Sequence, residues 1–220
     1  MILLGLAGEP VLAMETLTCL NDAVIAQADT PALRERICTV VDGALTRLTD
    51  CQLPVPTQTI RISLVECFGS PMEDCLALYH REDARIEVLT PEAMADRIVP
   101  GHPFAALPLP VLFDSLLVHE LSHALASGAP GLVDGSHAEM EYIAYAMQLA
   151  WLPAEARGTV LERVPLTVPA TPDRLNDFTA LAAPERFAAL TWTHFSAPEN
   201  GCGFVGRLVR GEVSLGRRVE

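Results

Sequence analysis

Residues 108–128 read Pro108-Leu109-Pro110-Val111-Leu112-Phe113-Asp114-Ser115-Leu116-Leu117-Val118-His119-Glu120-Leu121-Ser122-His123-Ala124-Leu125-Ala126-Ser127-Gly128. Leu112, Leu116, Leu117, Leu121, Ala124 and Leu125 recur at helical spacing, and Gly128 is a stop signal, so the pattern predicts a helix over about 111–127. One polar stripe crosses this apolar background, formed by His119, Glu120 and His123. A helix of this kind has to be packed on several sides, and the rest of the chain is read for what covers it.

Upstream, the patterns are those of strands. Ile60, Ile62 and Leu64 alternate with Arg61 and Ser63, and two further runs, 76–80 and 85–89, flank a turn at Glu82-Asp83. These three are expected to form a small antiparallel sheet. Before them, Thr30-Pro31 supplies an N-cap and a first-turn proline for a covering helix with Leu33, Ile37, Val41, Ala44 and Leu48 on its inner face. Thr90-Pro91 opens a short helix, and the Pro-rich stretch 100–110 is a loop leading into the central one. Downstream the patterns are helical, at about 137–151, 154–164, 172–182 and 184–196. The fold class predicted is α+β: one domain over 14–220, strand-rich over 14–100 and helical over 101–220, with the sheet packed on a helical layer.

Composition narrows the partners. The net charge is −13 over 220 residues, which argues against nucleic acid, since tracking phosphates needs clustered cations. No apolar stretch is long enough to span a bilayer. Six cysteines without a C-x-x-C pair favour disulfides over a metal ribbon, with Cys67 and Cys75 the expected pair across a short turn-rich segment. The apolar run 2–8, followed by small residues to 13, reads as a signal-peptide remnant lacking a basic start, the alternative being a buried strand. With the cysteines it points to a periplasmic or secreted protein.

His119-Glu120-Leu121-Ser122-His123 is an H-E-x-x-H motif. On a helix its histidines lie about 40° apart around the axis and one turn along it, so both imidazoles reach one ion. Glu120 projects beside them, where it can accept a proton from a water acidified by zinc. The cofactor expected is therefore Zn2+. A third ligand from the metzincin pattern is excluded, because Ala126 and Ala129 stand where that pattern needs Gly and His. The next helix offers His137, Glu139 and Glu141. Ser136 and Glu139 form a capping box, which gives Glu139 a structural task, so Glu141 is the favoured ligand with Glu139 and His137 as alternatives. Tyr142 and Tyr145 are candidates to donate to an oxyanion, with His194 a further one, although each is also a plausible packing residue. Asp114, five residues before His119, is either a partner that orients a ligand or a helix-start charge. His80 and His102 have no ligand partner near them in sequence.

The motif, followed 18 residues later by Glu141-Tyr142-Ile143-Ala144-Tyr145, resembles that of gluzincin (thermolysin-like) metallopeptidases, particularly their short single-domain secreted bacterial forms. The resemblance covers about residues 56–151. It implies a zincin-like fold, two zinc-binding histidines, a glutamate ligand on the next helix, a glutamate general base, and a sheet whose edge strand aligns a peptide substrate. The function expected is zinc-dependent hydrolysis of peptide bonds. The alternative is a secreted zinc-binding or structural protein without turnover, which a fully ligated, closed metal would favour over an open one.

Overall fold

A computed structural model describes residues 15–70, 72, 75–132 and 137–215. The signal-like run over 1–13 and Ser136, half of the expected capping box, lie outside the described residues.

Five strands form one sheet in the order β1-β2-β3-β5-β4. They are β1 (Thr16–Thr18), β2 (Val24–Gln27), β3 (Ile60–Val65), β4 (Ala77–His80) and β5 (Arg85–Leu89). The sheet is mixed, which corrects the expectation of an antiparallel one. β2, β3 and β5 run parallel, with Ile62 opposite Ala26 on one side and Ile86 on the other, while β1 and β4 are antiparallel edges. Buried Val24, Ala26, Ile60, Ile62, Leu64, Ile86, Val88 and Leu89 make the parallel centre apolar, as strands covered by helices require. A β3–β5 parallel pair needs a crossover, and here the crossover contains β4. Local alternation identifies a strand but carries no information on its direction relative to a neighbour.

The cysteine pairing differs from expectation as well. β3, which precedes Cys67, and β4, which follows Cys75, stand two strand spacings apart with β5 between them, about 9.6 Å. Cys67 and Cys75 are not joined to each other, contrary to the expected pairing. The two disulfides are Cys19–Cys38, which ties the β1–β2 turn to the first helix, and Cys51–Cys202, which joins segments 151 residues apart.

Helix α1 (Pro31–Asp50) connects parallel β2 and β3 and is capped by the Thr30 hydroxyl, which accepts from Leu33 N–H. Helix α2 (Pro91–Arg97) is capped in the same way by Thr90. After a 3-10 turn at Pro103–Ala106 comes α3 (Leu109–Ala126), buried along most of its circumference. It packs on α1, on β4 and on α4 (His137–Trp151). Helices α5 (Ala154–Glu162), α6 (Asp177–Ala182), α7 (Pro184–Phe195) and α8 (Gly201–Val209) complete the helical layer. The expected helix over 172–182 is shorter, its start being a separate 3-10 turn at Pro172–Arg174. Helix α8 is absent from the sequence expectation because Gly201, Gly203 and Gly206 each weaken helix propensity by about 1 kcal/mol. Tertiary burial of Phe204, Val205, Leu208 and Val209 overrides them.

The C-terminal segment braces the start of α4. Gly131 packs so tightly on the backbone of Arg210 and Gly211 that a Cβ there would lie 2.1 Å from the Gly211 nitrogen. Four residues beyond Gly211, the Leu215 N–H donates to the buried Glu139 carboxylate at 2.9 Å.

Candidate metal centre

Helix α3 presents His119 and His123, one turn apart, towards α4. Their Nε2 atoms stand 3.1 Å from each other. From α4, Glu141 brings one carboxylate oxygen to 3.4 Å from His123 Nε2 and the other to 3.7 Å from His119 Nε2. Tetrahedral zinc with bonds of about 2.0–2.1 Å separates its ligand atoms by about 3.3 Å, so these spacings fit the ion. Among the described residues this is the group of three or more His, Cys, Asp or Glu side chains close enough to hold a metal. The donor set of two imidazoles and one carboxylate leaves a coordination position for water or substrate.

The electrostatics agree with the geometry. Burial, together with the charge of His123, pushes His119 down to about 4, so it is neutral at pH 7 with a free lone pair. Burial acts to lower His123 too, but its hydrogen bond to Glu141 and the charge of that carboxylate outweigh it and raise the imidazole. Burial would raise Glu141, yet the His123 hydrogen bond and the nearby imidazoles hold it at about 2. For Glu120 desolvation wins: burial, with a further push from the Glu141 charge, takes it up to about 7, while His123 and a hydrogen bond from the Tyr79 backbone oppose the rise.

Two clefts meet at these residues. One, of about 410 Å3, is lined by His119, Glu120, Tyr145 and Gln148 together with apolar Leu112 and Leu116. The other, of about 350 Å3, exposes His119, Glu120, His123, His137, Met140 and Glu141. Edge strand β4 borders both, through Ala77 in the first and Ala77, Leu78 and Tyr79 in the second.

Of the two tyrosine candidates, only Tyr145 reaches the site. Its ring packs edge-on against His119 at 4.8 Å between centroids, and burial raises its hydroxyl pKa. Tyr142, three residues earlier and about 60° away around α4, is fully buried, and its hydroxyl is bonded to His194 Nδ1 at 2.9 Å. That corrects the expectation for Tyr142 and removes His194 as well, because the two satisfy each other in the core beside Phe204. Asp114 turns away from the histidines and pairs with Arg36 through both oxygens, at 2.8 and 2.9 Å, joining α1 to α3. Glu139 accepts from the Leu215 N–H, while its expected capping partner Ser136 lies outside the described residues. His137 lies 4.0 Å from Glu141 on the cleft side, beyond hydrogen-bond distance. His102 caps the 3-10 turn by accepting from Phe104 N–H, and His80 pairs with Glu87.

One residue that touches the cluster was not singled out from sequence. The Gln148 side-chain oxygen stands 3.0 Å from His119 Nδ1, where it can only accept, and the Gln148 side-chain nitrogen donates to Ser115 Oγ. Its signal was available: a polar side chain seven residues after Glu141, on the same helix face, inside the apolar run Ala146-Met147-Gln148-Leu149-Ala150.

Over residues 24–218 the chain matches the model of a family described as "Family of unknown function (DUF6639)". No curated protein and no solved structure matches it.

Proposed function

The chain belongs to the DUF6639 family, and we propose that it is a zinc-dependent hydrolase of peptide bonds, of the gluzincin type that its motif resembles. One observation carries this reading. Two imidazole nitrogens and a carboxylate from neighbouring helices converge within 4.8 Å, and the buried carboxyl of Glu120 stands beside them, lining both clefts.

Zinc held by His119, His123 and Glu141 would supply Lewis acidity towards a substrate carbonyl and a water. The protein's own groups do the rest. Glu120, with its pKa moved close to neutrality, takes a proton from the attacking water and delivers it to the leaving amine. The Tyr145 hydroxyl, on the larger cleft, donates to the oxygen that gains negative charge. Strand β4, an edge of the sheet bordering both clefts, offers backbone groups to an extended peptide. A metal with a purely structural task would be closed off by four protein ligands; three ligands among the described residues, beside a cleft, favour turnover. Two disulfides among the described residues, and no described helix long and apolar enough to cross a membrane, support placement in the periplasm or outside the cell.

The test is metal analysis of protein purified without chelator or affinity tag, combined with mass-spectrometric detection of cleavage in a peptide library. About one zinc per chain and cleavage are expected. Glu120→Gln should keep the zinc and lose about 10²–10⁴-fold in turnover, whereas His123→Ala should lose both. Full turnover in Glu120→Gln, or a chain that takes up no zinc, would sink the reading.

A further inference from the structure

Resting on the zinc reading above, we propose that Gln148 is the positioning residue for His119, and that Ser115 holds its amide the right way round. The assignment of every proton follows from one backbone carbonyl. The Leu112 carbonyl can only accept, so the Ser115 hydroxyl, 2.8 Å away, spends its single proton there. The Ser115 oxygen is then left to accept, and its other partner, 3.2 Å away, is the Gln148 side-chain nitrogen, which donates. This turns the Gln148 oxygen towards His119 Nδ1 at 3.0 Å. An amide oxygen accepts only, so His119 carries its proton on Nδ1. The bare lone pair is therefore on Nε2, the atom that faces His123 and Glu141.

Burial enforces this order. Ser115 is fully buried and Gln148 is 2 % exposed, so a flipped amide would set its oxygen against the Ser115 oxygen, acceptor to acceptor, at a point nearly closed to solvent. The chain Leu112–Ser115–Gln148–His119 also crosses between α3 and α4, which fixes the imidazole plane relative to the helix that supplies Glu141. Histidines on metals are usually oriented by a partner of this kind, often a carboxylate. Here the partner is neutral, so it orients the ring without adding a third negative charge beside Glu120 and Glu141.

Three substitutions in the full-length chain and one spectroscopic measurement test this. Zinc affinity is read by competition with a chromogenic chelator. Gln148→Leu, which keeps a similar volume but offers no acceptor, should weaken zinc binding about 10–100-fold. Gln148→Glu retains an acceptor oxygen and should stay within about tenfold of the parent, and Ser115→Ala, which only loosens the amide, should also lose less than about tenfold. Nitrogen-15 NMR of the imidazoles, recorded without added zinc, should find His119 in the Nδ1–H tautomer in the parent and no longer held there in Gln148→Leu. Unchanged zinc affinity in Gln148→Leu, or an Nε2–H tautomer for His119 in the parent, would overturn the inference alone. A parent chain that binds no zinc would instead overturn the hydrolase reading on which it rests.

Discussion

Two faces of α4 bury polar side chains and do opposite things with them. On the face towards α7, α8 and the C-terminal segment, Tyr142 is bonded to His194 and Glu139 accepts from Leu215 N–H. These groups end on protein partners. On the face towards α3, Glu141, Tyr145 and Gln148 meet His119 and His123. There the polar atoms converge on one point and line two clefts. Residue type does not separate the faces, since each has a glutamate and a tyrosine. What separates them is whether the buried group ends on a protein partner or on space that a ligand can enter.

That contrast predicts paired substitutions with opposite outcomes. The largest effect is expected for the glutamates: Glu141→Gln should weaken zinc binding by more than the roughly 100-fold that loss of an orienting neighbour costs. Glu139→Gln should leave zinc binding intact and lower the melting temperature instead; equal zinc loss in both would erase the distinction between the faces. The tyrosines come next. Tyr145→Phe should cut turnover about 10²–10³-fold with little change in stability. Tyr142→Phe should keep turnover and cost about 1–3 kcal/mol, because His194 loses its buried partner. Swapped phenotypes, read by steady-state kinetics beside denaturant melts, would reverse the assignment. The third effect concerns the brace alone: Cys202→Ser opens a link between segments 151 residues apart and should cost about 2–4 kcal/mol, with zinc affinity at 25 °C unchanged. A parallel fall in zinc affinity would show that the structural face reaches into the metal centre.

Much of the site was legible because helical spacing is local. His119, Glu120 and His123 acquire their mutual geometry from one helix, and no long-range contact can alter a one-turn offset. Glu141 was favoured because Glu139 already had a use at the helix start; among the described residues Glu139 accepts from the Leu215 N–H. The tyrosines were not separable in sequence, since positions 142 and 145 lie only about 60° apart around α4 and nothing local says which of them faces the histidines. Asp114 failed for the same reason. Its helix position was right, but the Arg36 that claims it lies 78 residues earlier.

The α+β class, the central apolar helix and the H-E-x-x-H stripe belong to the sequence alone, because each depends on periodicities of a few residues. Strand direction, the two short leading strands, the disulfide partners, α8 and the Gln148–Ser115 link belong to the tertiary structure. All of them are relations between segments far apart in the chain, decided by which surfaces bury each other. Local pattern specifies what a segment can become, and only packing specifies what it meets.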